Sequence, residues 1–260
     1  MARDTWLITG ASAGLGALFA ARAAAAGNDV ILVARRAERL EALAARIAGT
    51  GVSAHVIACD LGAAGAVPEL MRALAARGLT VNTLVNNAGF GVRGALSDSD
   101  GAVQVAMIDL NCRALVELTH AVLPGMVSQR RGGILNIAST AAFQPGPGMA
   151  VYYATKAFVL SFSEALHEEV RGQGVRVTAL CPGPTRTEFA GIAGMGSSGF
   201  FAKNAADAGA VVRDGMAALA QGRAIKVAGV RNAAMAGSVR LLPRGIARRI
   251  SAHVQRLLAG

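Results

Sequence analysis

The sequence predicts a single doubly wound α/β domain over residues 1–260, with a parallel sheet of about seven strands and helices on both faces. Short, nearly uninterrupted apolar runs recur along the chain, and each is followed by a longer, alanine-rich segment of helical period. Such runs are typical of strands that are buried on both faces, as in a parallel sheet whose crossover helices cover it. The length of 260 residues is enough for one full hydrophobic core.

The predicted elements alternate along the whole chain. The strands are residues 5–9, 30–34, 52–58, 83–86, 134–138 and 175–180, with residues 222–228 as a weaker seventh strand. The longer predicted helices are residues 36–48, 102–126 and 153–170. In such a sheet the ligand crevice lies beyond the carboxyl ends of the strands. Residues that directly follow a strand are therefore the candidates for a functional site.

Composition argues against several classes of protein. No apolar run reaches the roughly 18 residues that a membrane-spanning helix needs. Cys59, Cys112 and Cys181 lie far apart, which favours a reducing compartment over a disulfide framework. The four histidines lack metal-ligand spacing, so we expect no catalytic metal. The first strand begins almost at once and leaves no room for a secretory signal, so we expect a soluble, cytoplasmic protein.

The net charge of +10 is carried mainly by arginines that are dispersed along the chain. They lack the aromatic interleaving of a nucleic-acid platform, so we expect no nucleic-acid partner. The densest basic stretch lies in a predicted C-terminal helical extension, residues 231–260, where arginines alternate with leucine and isoleucine. Such an amphipathic basic helix either packs its apolar stripe on the domain or lies on an anionic membrane. We expect the first arrangement.

A glycine-rich turn separates the first predicted strand from the first helix. Gly10, Gly14 and Gly16 give the spacing Gly-x-x-x-Gly-x-Gly. Glycines at this place expose backbone amides at a helix N-terminus, where they can bind a pyrophosphate. A strand-to-helix turn without a ligand is the alternative. The placement favours a dinucleotide site.

The end of the second strand indicates which dinucleotide is bound. Sites for NAD usually place an acid about 20 residues beyond the glycines, whereas this chain has Ala34 followed by Arg35 and Arg36. Arginines attract a ribose 2′-phosphate through charge-assisted hydrogen bonds. The sequence therefore predicts NADP(H) in preference to NAD(H). Arginines that are merely solvated at the start of a helix are the alternative, mainly for Arg36.

A tyrosine, a lysine and a serine form the predicted catalytic group. Tyr152 and Lys156 stand at i and i+4 on one helix face, and Ser139 follows the fifth predicted strand. A carbonyl that accepts a hydride needs a proton donor at its oxygen, and a nearby ammonium is expected to lower the pKa of a tyrosine toward the working range. A serine hydroxyl can hold the same oxygen. Tyr153 lacks this spacing to Lys156.

These residues together resemble the short-chain dehydrogenase/reductase family over essentially the whole chain. The matching motifs are Thr9-Gly-Ala-Ser-Ala-Gly-Leu-Gly16, Asp60-Leu61, Asn86-Asn-Ala-Gly89, Asn111, Ser139, Tyr152-Tyr-Ala-Thr-Lys156 and Pro182-Gly-Pro-Thr-Arg-Thr187. The resemblance implies a Rossmann-type fold, a homodimer or homotetramer, and a catalytic tetrad of Asn111, Ser139, Tyr152 and Lys156. Asn111 is expected to hold a water that relays protons. The C-terminal residues also resemble a subgroup near the ketoacyl reductases.

The resemblance, together with the two arginines, also implies which residues bind the cofactor. They are Gly10, Ser12, Gly14, Leu15, Gly16, Arg35, Arg36, Asp60, Leu61, Asn87, Ala88, Gly89, Tyr152, Lys156, Pro182, Gly183, Thr185 and Thr187. The first group lies in the glycine-rich turn and the last group follows the sixth predicted strand. Each segment is therefore expected at the same edge of the sheet.

The substrate wall is predicted from the residues after Ser139 and from a substrate-loop region, residues 185–203. The candidates are mostly apolar: Phe143, Gln144, Phe189, Met195 and Phe200. They favour an apolar ketone or aldehyde and its alcohol as the substrate pair. Residues 191–199 contain four glycines and two serines, which predicts a mobile loop. A non-catalytic NADP-binding sensor and a membrane-peripheral acyl-chain ketoreductase remain as alternatives.

Overall fold

Seven parallel strands form one sheet in the order β3-β2-β1-β4-β5-β6-β7. The computed structural model describes residues 3–192 and 205–257, and the fold is given for those ranges. The strands are β1 Thr5–Thr9, β2 Asp29–Ala34, β3 Ala54–Ala58, β4 Thr83–Asn86, β5 Gly132–Ile137, β6 Val175–Cys181 and β7 Ile225–Val227. The predicted seven-stranded, doubly wound sheet is confirmed, with strand ends that differ from the prediction by a few residues.

Helices cover both faces of the sheet. One face carries α1 Gly14–Ala25, α2 Ala37–Ala48 and α8 Ala208–Ala220, and the other carries α3 Ala66–Ala76, α5 Ala114–Ser128 and α6 Ala150–Glu169. The remaining helices are α4 Gly101–Ile108, α7 Glu188–Ile192, α9 Val230–Leu241 and α10 Arg244–Leu257. A π-helical turn, Asp109–Arg113, joins α4 to α5, so the helix predicted over residues 102–126 is interrupted at its centre.

The strands supply both halves of the hydrophobic core. Successive side chains of a strand point to opposite faces of the sheet. In β1, Ile8 therefore packs in the cluster that contains Phe19 of α1, whereas Leu7 packs in the cluster that contains Leu70 of α3 and Leu118 of α5. All five side chains are at most 2 % exposed. The sheet is buried on both faces, which explains why its strands read as continuous apolar runs.

The strand order reverses between β1 and β4, where the loops that follow the two strands diverge. The Thr9 hydroxyl donates to the Val85 carbonyl (3.2 Å) and accepts from the backbone amides of Asn87 and Ala88 (2.9 Å each). The Asn87 side chain donates in turn to the Thr9 carbonyl (2.9 Å). These hydrogen bonds fix the two loops against each other. They create the crevice that doubly wound sheets use for ligands.

The basic C-terminal stretch forms two helices instead of one. Between α9 and α10 lies Pro243, which lacks a backbone N–H and disfavours helical geometry at the residue before it. Leu242 accordingly adopts an extended conformation, with ψ of 141°. The chain therefore changes direction before the last helix begins.

The expectation that the apolar stripe of this stretch packs on the domain is wrong for Ile246 and Ile250. In α10 the buried side chains are Ala247, Ser251 and Gln255, which are at most 8 % exposed. Ile246 and Ile250 are 48 % and 50 % exposed. The physical reason is that α10 is anchored through polar contacts. Its Ser251 hydroxyl donates to a backbone carbonyl of the domain (2.6 Å). Within the described ranges, no helix is both long and apolar enough to span a bilayer.

Candidate active site

A cavity of about 550 Å³ lies at the carboxyl ends of the central strands, around the point where the strand order reverses. It brings together residues that are widely separated in sequence. The predicted site residues that line it are Gly10, Ser12, Gly14, Leu15, Arg35, Arg36, Asp60, Leu61, Asn87, Ala88, Gly89, Ser139, Tyr152, Lys156, Pro182, Gly183, Thr185, Thr187 and Phe189.

Four described candidates lie outside the cavity lining. Gly16 packs behind the glycine-rich turn, where an added Cβ would clash with the Gly10 carbonyl oxygen. Asn111 is buried behind the cavity. Phe143 packs against a separate buried cluster, and Gln144 does not border the cavity. The predicted substrate residues Met195 and Phe200 lie outside the described residues.

The glycine-rich turn presents an open helix N-terminus to the cavity. Gly10 and Gly14 have φ of 65° and 55°, in the left-handed region that favours glycine. The N-cap residue of α1, Ala13, provides no side-chain hydrogen bond, so the first amides of the helix have no capping acceptor among the described residues. Ala13, Gly14 and Leu15 border the cavity. Backbone donors and the helix dipole together suit an anion here.

Two arginines border the cavity at the end of β2. The Arg36 guanidinium donates to the Ser12 hydroxyl (3.1 Å) and pairs with Glu188 (3.4 Å), which also pairs with Arg39 (2.7 Å). The hydrogen bond from Arg39, with a smaller contribution from Arg36, holds the pKa of Glu188 below its usual value. The Arg35 side chain makes no hydrogen bond or ion pair with any residue in the described ranges. Sequence reasoning did not identify Arg39. The signal in the sequence that could have indicated it is its position about one helical turn after Arg35 and Arg36.

Tyr152 is 8 % exposed and lines the other part of the cavity. Burial raises the pKa of its phenol to about 12, and a hydrogen bond with Ser139 offsets only part of that shift. The structure therefore differs from the expectation that Lys156 lowers the pKa of Tyr152. The ammonium nitrogen of Lys156 lies 5.9 Å from the centre of the tyrosine ring. At that distance its effect does not outweigh the loss of solvation.

Lys156 is buried and is held by the end of β5. Its Nζ donates to the Ile137 carbonyl (2.7 Å), and 7 % of the residue is exposed. Burial lowers the pKa of Lys156 to about 8, with Cys112 and Cys181 as smaller opposing influences. A lysine with a pKa this close to neutral can exchange its proton at physiological pH.

Ser139 has a structural role and also borders the cavity. Its hydroxyl oxygen accepts from the Ala141 amide (3.1 Å) and so caps the short 3₁₀-helix Thr140–Phe143. Its hydroxyl also contacts the Pro182 carbonyl at 3.5 Å and hydrogen bonds with Tyr152. Ser139 therefore acts as the N-cap of this short helix. This role leaves the hydroxyl beside the phenol of Tyr152.

Asn111 clamps two parts of the site from behind. It lies in the π-helical turn, a feature that is frequent at functional sites. Its carboxamide accepts from the Phe90 amide (3.0 Å) and donates to the Phe90 carbonyl (2.9 Å) and the Thr155 hydroxyl (3.1 Å). Both side-chain N–H groups are thus used by the protein. The proton-relay water expected at Asn111 stays a prediction, and such a water would have to bind a group other than these two N–H donors.

A polar cluster lies at the end of the cavity that contains Tyr153 and Gln255, called here the substrate end. Sequence reasoning did not predict this cluster. The Gln255 carboxamide, from α10, donates to the Tyr153 hydroxyl. Arg93 donates to the side-chain oxygen of Gln255 (3.0 Å) and to its backbone carbonyl (3.2 Å). Tyr153 and Gln255 line the cavity. No sequence motif points to Gln255, which lies about 100 residues from Tyr153 and arrives there only through the packing of α10.

In the part of the chain that the structure describes, no three His, Cys, Asp or Glu side chains come close enough to hold a metal ion.

Buried Cys112 contacts the Thr155 carbonyl through sulfur at 3.9 Å. Burial raises the pKa of Cys112 to about 11. This thiol is therefore protonated at neutral pH and is a poor nucleophile.

Comparison with known proteins gives the same family from sequence and from structure. A family model described as short chain dehydrogenase matches residues 4–194. A sulfoacetaldehyde reductase from Chromohalobacter salexigens is 43 % identical over 188 residues, which cover 72 % of this chain and 74 % of the relative. A short-chain dehydrogenase from Sphingobium yanoikuyae, solved with NADPH, is 34 % identical with a TM-score of 0.83, and covers 94 % of both chains.

The similar solved structures include an enzyme that is named for bulky ketones. The bulky-bulky ketone specific alcohol dehydrogenase from Comamonas testosteroni is 30 % identical with a TM-score of 0.79, over 94 % of this chain and 93 % of the other. The family model covers well over half of the 260 residues, and the relatives match most of their own length. The chain therefore belongs to the short-chain dehydrogenase family of oxidoreductases.

Proposed function

We propose that the chain is an NADPH-dependent oxidoreductase that interconverts an apolar ketone or aldehyde and its alcohol, with Tyr152 as the general acid and base. One observation carries this proposal. Tyr152, Ser139 and Lys156 border the same cavity as an open helix N-terminus and the cationic Arg35. Proton donation, carbonyl binding and dinucleotide binding thus have their residue types in one place.

The cavity residues fit a dinucleotide that carries a 2′-phosphate. The free amides at the start of α1 suit the pyrophosphate, and Arg35 suits the 2′-phosphate because its guanidinium has no other described partner. Lys156 lines the same cavity and would hold the ribose hydroxyls near the nicotinamide. NADPH, when bound, supplies the hydride. The presence of NADPH in the structure of a 34 % identical relative supports the same preference here.

We assign proton donation to Tyr152 and binding of the carbonyl oxygen to Ser139. The raised pKa of Tyr152 keeps its phenol protonated at neutral pH, which is the state that donates during carbonyl reduction. The Ser139 hydroxyl donates a hydrogen bond to the same carbonyl oxygen and stabilises its developing negative charge. Lys156 returns a proton toward Tyr152 after transfer, because its pKa of about 8 allows exchange near neutral pH.

The rate of carbonyl reduction is expected to depend on the charge of Lys156. Because burial lowers its pKa to about 8, the ammonium is present below that pH and is lost above it. We expect kcat/KM for NADPH, which reports groups of the free enzyme, to fall as the pH rises through about 8. Initial rates measured between pH 6 and pH 10 in buffers of constant ionic strength check this expectation (roughly one decade per pH unit above the pKa for a single essential group). A flat profile across the pKa would contradict it.

The lining of the substrate end favours a neutral, apolar carbonyl compound. Phe90, Ala141, Met149 and Phe189 line it together with Tyr153. Among the described lining residues, the cations are Arg35 and Arg36 at the far end of the cavity and Lys156, which has a catalytic role. Arg93 is already bonded to Gln255, and Lys203 lies outside the described residues. A carboxylate in this part of the cavity would have no cationic partner among the described residues that line it there, and it would be costly to desolvate.

This substrate preference differs from the activity named for one relative and agrees with that named for another. The sulfoacetaldehyde reductase is named for a substrate with an anionic end. The Comamonas testosteroni enzyme is named for ketones that are bulky on both sides. The apolar lining supports our proposal of a substrate of the second kind.

Three aryl ketones of graded charge and size test the proposal. They are acetophenone, 4-acetylbenzoate and the methyl ester of 4-acetylbenzoate, each assayed by the initial rate of NADPH oxidation. We expect kcat/KM for acetophenone and the ester to exceed that for the carboxylate by about tenfold or more, because an unpaired charge is costly to bury. The ester controls for size. Faster reduction of the carboxylate than of its ester would overturn the apolar assignment.

A further inference from the structure

The two C-terminal helices have an unusual charge distribution. α9 and α10 contain six arginines and no aspartate or glutamate: Arg231, Arg240, Arg244, Arg248, Arg249 and Arg256. In α10, Arg244, Arg248, Arg249 and Arg256 are exposed, and none of them forms an ion pair with a described residue. The positive charge of this surface is therefore uncompensated within the described ranges.

The same helix exposes an apolar stripe. Ile246, Ile250 and Val254 follow each other at intervals of four residues and are 48 %, 50 % and 39 % exposed. Residues at this spacing lie on one helix face, so they form a continuous row, called here the α10 stripe. Leu242, just before the helix, is also 37 % exposed. Single exposed apolar side chains are ordinary on protein surfaces, whereas contiguous ones mark an interaction site.

The α10 stripe is presented on a fixed support. Ser251 donates to the Pro145 carbonyl (2.6 Å), and Gln255 is bonded to Tyr153 and Arg93. Both anchoring side chains are buried. These contacts hold α10 against the domain by its polar face. The isoleucines cannot turn inward without breaking them.

We propose that α10 lies on the surface of an anionic lipid bilayer, with the α10 stripe in contact with the acyl boundary and the arginines in contact with acidic headgroups. An apolar row beside basic residues on one helix is the pattern of interfacial helices. Each arginine near an anionic surface adds a favourable electrostatic contribution. The absence of acidic residues from α9 and α10 matches a negatively charged partner along their whole length.

A second copy of the chain fits this surface less well. Twofold symmetric contacts bring the same patch of both subunits together. At α10 such a contact would place arginines against arginines, because neither helix carries an acid to pair with them. A lipid surface supplies negative charge and apolar contact at once.

Vesicle flotation with the full-length chain tests this proposal. We expect the chain to float with vesicles of phosphatidylcholine and phosphatidylglycerol, and to remain at the bottom with phosphatidylcholine alone. The Ile246→Asn/Ile250→Asn variant is expected to bind at least tenfold more weakly, and Arg248→Gln/Arg249→Gln about fivefold more weakly for each arginine. Leu96→Asn is the matched control, because Leu96 is 61 % exposed outside α10 and its loss should leave flotation unchanged.

Two further measurements separate lipid binding from unfolding and from self-association. Thermal melting of each variant, compared with the wild type, shows that a loss of flotation does not result from unfolding. Sedimentation of the wild type and of Ile246→Asn/Ile250→Asn distinguishes a lipid from a second copy. The proposal is overturned if the wild type fails to float with anionic vesicles, if both vesicle types bind it equally, or if the variant alters the oligomeric state instead of flotation.

Discussion

Replacement of Tyr152 by phenylalanine is expected to lower kcat by about 10²- to 10⁴-fold, the range of general acid catalysis. The variant keeps the aromatic ring that packs at 5.6 Å from Phe189 and at 6.1 Å from Tyr153, so the pocket retains its shape. The change removes the hydroxyl that hydrogen bonds with Ser139 and to which we assign the donation of the proton. Initial rates of NADPH oxidation with the best ketone measure the loss, and quenching of protein fluorescence measures NADPH affinity.

Tyr153→Phe is the matched control for this variant. Tyr153 is the adjacent tyrosine and lines the same cavity, but its hydroxyl is hydrogen bonded to Gln255, whereas that of Tyr152 is hydrogen bonded to Ser139. We expect the control to keep kcat within about tenfold, since it loses one neutral hydrogen bond. Near-normal turnover by Tyr152→Phe, or an equal loss in both variants, would refute the role assigned to Tyr152.

The second large effect is expected from Arg35→Asp. The substitution removes a guanidinium whose side chain has no described partner and places a carboxylate at the cofactor end of the cavity. Loss of one charge-assisted bond corresponds to about 1.5–3 kcal/mol, or roughly ten- to a hundredfold in affinity, and repulsion of the 2′-phosphate adds to it. We expect the ratio of kcat/KM for NADPH to that for NADH to fall by at least this factor and the preference to reverse.

Arg72→Asp is the control for the change in net charge. Arg72 lies on α3 with 77 % of its side chain exposed, and its pairing with Glu69 is at 4.0 Å. The same change of charge at this distant site should leave the cofactor ratio unaltered. If Arg35→Asp leaves the preference for NADPH unchanged, Arg36 and Arg39 carry the recognition and the assignment to Arg35 fails.

The sheet and the cofactor end of the site were predictable because their signals are local. Buried strands read as apolar runs, and the glycine-rich turn needs its glycines within a few residues of each other. Gly10 and Gly14 have positive φ, and Gly16 has no space for a Cβ. Such requirements leave a mark in the sequence at the place where they act.

The substrate end was not predictable because it is built by long-range packing. Gln255 meets Tyr153 only after α10 folds back over the domain, and no local pattern reports that contact. The orientation of α10 was predicted wrongly for a related reason. Periodicity identifies an amphipathic helix, but whether its apolar stripe is buried depends on which contacts anchor it, here those of Ser251 and Gln255.

The direction of the pKa shift of Tyr152 is another property that the sequence did not predict. Spacing placed Lys156 on the same helix face as the tyrosine, and the structure retains that relation. The sequence does not report how completely the cavity wall removes water from the phenol. Burial therefore raises the pKa of Tyr152. The ammonium of Lys156 donates its hydrogen bond to the Ile137 carbonyl.

The most direct test of the account is the fate of the hydride. A neutral aryl ketone is incubated with NADPH in which both hydrogens on C4 of the nicotinamide are replaced by deuterium. The alcohol product is then analysed by mass spectrometry. The account predicts one deuterium on the carbinol carbon of the product, and an initial rate of its formation that is about 10²- to 10⁴-fold lower when Tyr152→Phe replaces the wild type. An alcohol without deuterium, or the same initial rate of labelled alcohol formation by Tyr152→Phe, would contradict it.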